Sequence, residues 1–213
     1  MQDTFKEKGL RKKLIDSLRE KGITDERVLE AMGKVPRHYF MDSSFLNFAY
    51  KDQAFPISSG QTISQPYTVA FQSTLLEVKN GDKILEIGTG SGYQAAILLE
   101  MGAFVYSIER HRDLFLFAGN ILAKMGYHPY LFWDDGYQGK SSYAPFDKIL
   151  LTAAAPFIPE TLKMQLKTGG FLVAPLGDGN LQKMVRLIKI DENNFVQEEH
   201  GSFSFVPFLP GKV

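Results

Sequence analysis

A glycine-rich segment follows a short apolar run in this sequence and consists of Gly88, Thr89, Gly90, Ser91 and Gly92. Glycine allows a backbone to turn sharply and to approach a ligand without interference from a Cβ atom. The dinucleotide pattern G-x-G-x-x-G does not fit, because Tyr93 occupies the place of its third glycine. The segment also lacks the Gly-Lys-Ser/Thr that ends a phosphate-binding loop. It therefore predicts a ligand loop that is not built for phosphate, although a tight turn without a ligand would also use glycines.

Acidic residues near this segment indicate what the ligand carries. Glu86, just before the glycines, would repel a phosphate and could attract a cation. Glu109 lies about 20 positions after Gly88, where a carboxylate can accept hydrogen bonds from both ribose hydroxyls. Asp135, which is followed by Gly136, could accept a hydrogen bond from an adenine amino group. A nucleoside with a cationic chain and no phosphate fits these groups, so we predict the cofactor S-adenosylmethionine, with S-adenosyl-L-homocysteine as its product.

Strand-like and helical segments alternate from residue 66 onward. We predict strands at 83–87, 104–108, 129–133, 146–151 and 170–175, with helices between them. This alternation indicates an α/β, Rossmann-like fold with a mostly parallel twisted sheet and helices on both faces. Two further runs, 184–190 and 195–205, flank a turn and predict a hairpin that adds an antiparallel edge strand. Ligands of such sheets bind beyond the carboxyl ends of the strands, where the glycines and acids lie.

The first 65 residues have a different pattern. Leu10, Leu14 and Leu18 recur at helical spacing among charged residues, which predicts an amphipathic helix. A second helix is predicted after Asp25, and Pro36 ends it because proline disfavours a helical residue before it. We therefore expect one domain, 1–213. Residues 1–65 would form a helical extension beside the substrate site, and 66–213 the cofactor-binding core.

The composition excludes several classes of protein and site. Lys and Arg total 24 and Asp and Glu total 24, and this balance lacks the basic character of a non-specific nucleic-acid binder. The chain has no cysteine, so disulfides, thiolate nucleophiles and cysteine-bound zinc are excluded. The histidines are scattered, so we predict no metal site. No apolar run reaches the ~20 residues of a membrane span, and no apolar leader begins the chain. We expect a cytoplasmic monomer without nucleic-acid or membrane partners.

The segment Gly60-Gln61-Thr62-Ile63-Ser64-Gln65-Pro66-Tyr67 precedes the strand that leads into the glycine segment. Together these motifs resemble one enzyme family, the protein-L-isoaspartate (D-aspartate) O-methyltransferases, and Gly60–Tyr67 is the most specific of them. The resemblance continues in Leu85–Ala96, Asp135–Gly139 and Thr152–Pro156, and it covers most of the chain. It implies the class I methyltransferase fold. It also implies methyl transfer from S-adenosylmethionine to the free α-carboxylate of L-isoaspartyl and D-aspartyl residues in damaged proteins and peptides, which starts their repair through a succinimide.

The resemblance also implies roles for individual residues. Ser64 corresponds to the active-site serine, and Thr62, Ile63 and Gln65 would shape the substrate pocket. Thr152 and Gln182 are similar to positions that line this site. The cofactor would be held by Glu86, Gly88, Thr89, Gly90, Ser91, Gly92, Glu109, Asp135 and Gly136.

The proposed chemistry does not require a strong base, since a carboxylate acceptor is already ionised near pH 7. Catalysis can then depend on holding the acceptor in line and on excluding water. We interpret Ser64 as a residue that positions the acceptor, not as a covalent nucleophile. A role as helix cap before Pro66 is a second interpretation of this serine, and the two roles are compatible.

Several residues depart from the family's common residues, namely Asp134, Ser58, Ser59, Phe115 and Phe117, and the role of Trp133 is open. Asp134 stands where the family usually has glycine, which places an extra carboxylate near the expected adenine. Trp133 could stack on adenine or pack in the core. The alternatives to the repair enzyme are another class I methyltransferase that acts on a small molecule or RNA, and a catalytically silent domain that binds the cofactor or a partner protein.

Overall fold

A computed structural model describes residues 2–213 of the chain. The helices are α1 (Phe5–Glu20), α2 (Glu26–Lys34), α3 (Pro66–Leu76), α4 (Tyr93–Glu100), α5 (Arg112–Lys124) and α6 (Glu160–Gln165). The strands are β1 (Phe55–Pro56), β2 (Thr62–Ile63), β3 (Lys83–Ile87), β4 (Phe104–Glu109), β5 (Tyr130–Trp133), β6 (Phe146–Leu151), β7 (Leu166–Leu176), β8 (Gln182–Lys189) and β9 (Phe195–Phe203). None of the helices in residues 2–213 has the length and apolar character that crossing a bilayer requires.

The main sheet has the strand order β5-β4-β3-β6-β7-β8-β9. The strands from β5 to β7 in this order run parallel, β8 is antiparallel to β7, and β9 is antiparallel to β8. The predicted mostly parallel sheet with an antiparallel C-terminal edge is therefore confirmed. Strands β3 and β6 have the bounds that their apolar runs predict. Strand β7 begins earlier than predicted, because Leu166 already pairs with Phe146 before an irregularity in the register.

Helices cover both faces of this sheet, as predicted. On one face α3, α4 and α5 pack over apolar residues of the strands, such as Ile84 and Val105. On the other face α6 packs on β7, together with short 3₁₀ turns at 136–138 and 141–143. The connection from β5 to β6 thus contains 3₁₀ turns instead of an α-helix. The carboxyl ends of β3, β4 and β6 are left open at one edge, which is where the candidate site lies.

The N-terminal extension is helical as far as Lys34 and irregular after it. Asp25 caps α2 by accepting hydrogen bonds from the backbone N–H groups of Arg27 and Val28, at 3.0 and 3.4 Å. From residue 37 to 63 the chain forms 3₁₀ turns and the short β1–β2 pair. Helix α2 packs on α1, α3 and α4, and its apolar residues join the same hydrophobic cluster as the sheet. The extension is therefore anchored to the core, and its last residues lead directly into α3.

Candidate active site

Two adjoining depressions lie at the open edge of the sheet. The first, here called the inner cavity, is lined by ten of the residues predicted for the site: Thr62, Ile63, Ser64, Gly88, Thr89, Gly90, Ser91, Glu109, Gly136 and Thr152. The second, called the outer cleft, lies between α3 and the end of β9 and is lined by Gln65 and by aromatic residues that include Tyr67, Phe71 and Phe203. The structure therefore brings together positions that lie far apart in the sequence.

The glycine segment, Gly88–Gly92, turns the chain from β3 into α4. Gly88 has a φ of 97°, a left-handed conformation, and a Cβ atom there would collide with Oγ1 of Thr152. The Thr152 hydroxyl lies 2.7 Å from the Gly88 carbonyl oxygen and 3.0 Å from that of Ile87, and it donates to this pair. Glycine is thus required at 88 both by the conformation and by the close approach of Thr152.

Glu109 fixes the outer side of this segment from the end of β4. Its Oε2 accepts a hydrogen bond from the backbone N–H of Gly90 at 2.8 Å, and its Oε1 accepts one from the backbone N–H of His111 at 2.9 Å. A carboxylate has about four acceptor positions, so about two remain for a ligand. The predicted contact with ribose hydroxyls is compatible with this geometry, and Glu109 lines the inner cavity.

Glu86 is placed differently from the prediction, because it is fully buried and does not line the inner cavity. Side chains alternate along a strand, and the neighbouring Ile87 takes the position on the cavity wall. Oε2 of Glu86 accepts a hydrogen bond from Ser107 at 2.5 Å, and the Ser107 hydroxyl also pairs with that of Thr89 at 2.6 Å. Burial raises the pKa of Glu86 to about 8. Glu86 therefore supports the glycine segment from beneath instead of facing a cationic ligand.

Asp135 and Gly136, which follow β5, were both predicted to hold the cofactor, and the structure gives them different positions. The Asp135 carboxylate accepts a hydrogen bond from the backbone N–H of Tyr137 at 2.9 Å and does not line the inner cavity. Gly136 does line it, and a Cβ atom at Gly136 would collide with Ile87 and crowd the ring of Phe208. In this arrangement Asp135 shapes the turn, and the backbone at Gly136 forms the wall.

Asp134 and Trp133, which precede this turn, both form polar contacts within the protein. Oδ2 of Asp134 forms an ion pair with Nζ of Lys140 at 2.8 Å, and this hydrogen bond lowers the pKa of Asp134. The indole N–H of Trp133 donates to the carbonyl oxygens of Arg110 and Val213, at 3.0 and 3.1 Å. Trp133 packs against the C-terminal segment and is not part of the cavity wall, which argues against adenine stacking, and it is partly exposed and outside both hydrophobic clusters.

Ser64 lies where the inner cavity meets the outer cleft, and it lines both, as do Thr62 and Val206. Within residues 2–213 the Ser64 hydroxyl has no hydrogen-bond partner, although its backbone carbonyl accepts one from Arg37 at 2.8 Å. The N-cap of α3 is Gln65, whose side chain makes no capping bond. The interpretation of Ser64 as a helix cap is therefore not supported, and its hydroxyl is available to a ligand.

Two further residues predicted for the site, Gln182 and Gly92, line neither depression. Gln182 is 3% exposed, and its amide accepts a hydrogen bond from the N–H of Phe205 at 2.9 Å and donates one to the carbonyl of Gly179 at 2.5 Å. It therefore holds the C-terminal segment in place without lining either depression. Gly92 has a φ of 88°, and a Cβ atom there would lie 3.1 Å from Leu122. The structure gives Gly92 a packing role between α4 and α5.

Sequence reasoning did not select the segment Val206–Leu209, which forms one wall of the inner cavity. It pairs with the residues after β6, since the N–H of Ala154 donates to the Val206 carbonyl at 2.8 Å and the N–H of Phe208 to the Ala154 carbonyl at 2.7 Å. Val69 and Gln94 were also missed. The side chains of Val206, Pro207, Phe208 and Leu209 carry no reactive or charged group, so their residue types gave no signal for this wall.

A comparison with protein families shows which family this chain belongs to. The family model described as Protein-L-isoaspartate(D-aspartate) O-methyltransferase (PCMT) matches residues 9–212. The chain belongs to this family. Relatives named protein-L-isoaspartate O-methyltransferase include those of Christiangramia forsetii, 54% identical, and Flavobacterium johnsoniae, 55% identical, each matched over 100% of both chains.

Solved structures of protein-L-isoaspartate O-methyltransferases have the same fold. One from Plasmodium falciparum, named as such an enzyme in complex with S-adenosyl-L-homocysteine, is 25% identical and matches with a TM-score of 0.83 over 93% of this chain and 98% of that one. The class I methyltransferase fold and the S-adenosylmethionine cofactor predicted from the sequence are thereby confirmed.

The residues of the inner cavity fit this cofactor. The glycine segment leaves room for a ligand beside the backbone, and Glu109 retains acceptor positions for ribose hydroxyls. Ile87, Ile108 and Val69 add apolar wall to which an adenine ring can bind. Glu86, in contrast, is buried with a raised pKa and contributes no exposed negative charge to this surface.

Proposed function

We propose that this protein transfers a methyl group from S-adenosylmethionine to the free α-carboxylate of L-isoaspartyl and D-aspartyl residues in damaged proteins and peptides, and so starts their repair through a succinimide. Family membership supports the reaction. The geometric observation that carries it is the position of Ser64 between the inner cavity and the outer cleft. A group bound in the outer cleft can meet a cofactor bound in the inner cavity only beside this serine and its neighbours Thr62 and Val206.

When bound, S-adenosylmethionine supplies a methyl group on a positively charged sulfur, which a carboxylate oxygen can accept without loss of a proton. The protein accordingly needs to hold an ionised acceptor, to orient it and to exclude water. The Ser64 hydroxyl, which lacks a partner in residues 2–213, can donate a hydrogen bond to one carboxylate oxygen and leave the other to react. Ile63 and Val206 border the same place and keep it apolar.

The remaining predicted residues divide into direct and indirect roles under this proposal. Gly88, Thr89, Gly90, Ser91, Glu109 and Gly136 would contact the cofactor directly. Glu86, Gly92 and Asp135 would act by holding that surface in shape. Thr62, Ile63 and Gln65 would border the acceptor, and Thr152 would fix the backbone at Gly88.

We further propose that the chain forms one domain and acts as a cytoplasmic monomer, with isoaspartyl proteins as its partners and without nucleic acid or membranes. The zero net charge and the absence of cysteine support this setting. Sedimentation of the purified protein would test the monomer, since a concentration-dependent larger species would contradict it.

The function itself is tested with labelled S-adenosylmethionine and two peptides that differ only in one linkage, isoaspartyl in one and normal aspartyl in the other. We expect label on the isoaspartyl peptide alone, as a base-labile ester. Label on neither peptide would contradict the proposal and favour a silent binding domain. Label on both would show a carboxyl methyltransferase without preference for the damaged linkage.

A further inference from the structure

Arg37 is a fully buried cation that the proposed reaction does not use directly. It follows α2 in the motif Val35-Pro36-Arg37 and has no exposed surface. Its Nη2 donates a hydrogen bond to the carbonyl oxygen of Ser64 at 2.8 Å and makes a longer contact of 3.5 Å with that of Gln53. Its guanidinium also lies 4.9 Å from the centre of the Tyr93 ring.

Ion pairing does not explain why a charge is kept here. Among residues 2–213 no carboxylate forms an ion pair with Arg37 and its Nε and Nη1 have no hydrogen-bond partner, although the Asp52 carboxylate favours its charged form. Burial lowers the pKa of Arg37 to about 10, so the group remains charged at neutral pH. Burying an ion in this way is costly, and apolar residues of similar volume are often tolerated equally well in such places. A cation with this cost points to a role in the site.

Arg37 contacts both segments whose relative position decides the reaction. Ser64 stands at the junction of the inner cavity and the outer cleft, and Arg37 binds its backbone directly. Tyr93 is the first residue of α4, directly after the glycine segment, and it lines the inner cavity. One guanidinium therefore links the segment beside the acceptor to the helix that follows the cofactor loop.

We propose that Arg37 is a positioning residue for methyl transfer, which holds the Ser64 segment at a set distance from the glycine segment. The proposal rests on the function proposed above. In-line attack tolerates little error, and a displacement of about 1 Å can reduce a rate by about 100-fold. The Ser64 hydroxyl makes no hydrogen bond within residues 2–213 that would hold it, so its position follows from the backbone, which Arg37 holds at the Ser64 carbonyl itself and the β1–β2 pairing holds at the preceding residues.

The test compares Arg37→Met, Arg37→Lys, Ser64→Ala and the double variant Arg37→Met/Ser64→Ala. We would measure kcat and KM for an isoaspartyl peptide and the Kd of S-adenosyl-L-homocysteine by calorimetry. Arg37→Met should lower kcat by about 30-fold, with a Kd within about 3-fold of the unaltered protein. Arg37→Lys keeps the charge and one donor, so it should recover part of the loss. In the Ser64→Ala background, Arg37→Met should have little further effect, because both act through one group.

Arg27→Met is the matched control, since its guanidinium also donates to backbone carbonyls, those of Val78 and Met101, but far from the site. It should leave kcat unchanged. An unchanged kcat in Arg37→Met, or losses that add fully in the double variant, would overturn the inference while the proposed function stands. If Arg37→Met does not fold, Arg37→Lys decides: an unchanged kcat and an additive effect with Ser64→Ala overturn the proposal. Absence of methylation by the unaltered protein would contradict both proposals.

Discussion

The two halves of the site are built in opposite ways. The glycine segment is held from several sides, since Thr152 binds the Gly88 carbonyl, Glu109 binds the Gly90 N–H, and Ser107 links Thr89 to a buried acid. The segment around Ser64 has a hydroxyl without a partner in residues 2–213, although its backbone is held by Arg37, by the β1–β2 pairing and by the Asp52 carboxylate, which accepts from the Tyr67 N–H at 2.8 Å. The polar groups of the first half are therefore already engaged by the protein, whereas the serine hydroxyl of the second half is not.

This difference follows from what each half must bind. The cofactor is the same molecule in every turnover, so a preformed surface loses least entropy when it binds. The acceptor is carried by peptides of varied sequence, and the outer cleft shows no Asp, Glu, Lys or Arg among its described lining residues. A neutral lining does not select acceptors by the charge of their neighbours.

Replacing Gly88 with alanine should affect the cofactor half most. The new Cβ atom would collide with Thr152 in a left-handed conformation, so we expect cofactor affinity to fall by more than about 100-fold. Calorimetry with S-adenosyl-L-homocysteine measures this effect. Gly81→Ala is the control, because Gly81 has a similar φ of 87° with open space around it. An unchanged affinity in Gly88→Ala would show that the segment is less constrained than its contacts indicate.

Replacing Ser64 with alanine should affect the acceptor half alone. Loss of the hydroxyl removes the proposed hydrogen bond to the acceptor, so we expect kcat to fall by about 30- to 100-fold while the cofactor Kd stays within about 3-fold. Initial rates with an isoaspartyl peptide and calorimetry provide the two values. Thr62→Val, which removes the neighbouring hydroxyl, is the comparison. A large loss of cofactor binding in Ser64→Ala would mean that this serine belongs to the cofactor half.

Replacing Glu86 with glutamine should change how the free energy of unfolding depends on pH, because it removes the buried carboxyl under the glycine segment. The pKa of Glu86 is raised from 4.5 to about 8 in the folded protein, so the folded state binds its proton more tightly than the unfolded state. Its contribution to stability is therefore full below about pH 4.5 and is lost as the pH rises toward 8. Relative to Glu86→Gln, the free energy of unfolding of the unaltered protein should fall across this window, with a slope of up to about 1.4 kcal/mol per pH unit. Denaturant titrations at several pH values check this, with Glu192→Gln as an exposed control, and parallel curves would contradict it.

Asp134→Gly should have the smallest effect. Asp134 is partly exposed and pairs with Lys140, and such pairs contribute about 0–1 kcal/mol. We expect cofactor affinity within about 3-fold and a free energy of unfolding within about 1 kcal/mol of the unaltered protein. A much tighter cofactor complex in Asp134→Gly would show that this carboxylate does act on the bound adenine.

The cofactor half was the easier one to predict, because its signals are local in the sequence. The glycines lie between a strand and a helix within a few positions, and the position of Glu109 follows from the length of one βαβ unit. The direction of the Glu86 side chain was not predictable in the same way. Charge favoured a contact with the ligand, but the alternation along β3 and the partner Ser107 turn the carboxyl into the protein.

Some walls of the site come from segments that lie far away in the sequence, and the spacing of residue types could not predict them. Val206–Leu209 reaches the inner cavity through backbone pairing with Ala154, and pairing of this kind leaves no pattern of side-chain types. Gln182 was assigned to the pocket by resemblance, and its amide instead holds Phe205. The extension was predicted as helical, but beyond Pro36 its aromatic residues form 3₁₀ turns, and its residues that border the site are Ala54 and Gln61 to Gln65.

The wall at Val206–Leu209 also has a consequence for the newly made chain. The ribosome adds about 5–20 residues per second, so roughly 6 to 24 seconds pass between synthesis of the glycine segment and of this wall. During that time the nascent chain carries its ligand loop but not a complete cavity. The complete cavity is therefore available to the cofactor only after this last wall has docked, and from then on binding stabilises the protein by mass action.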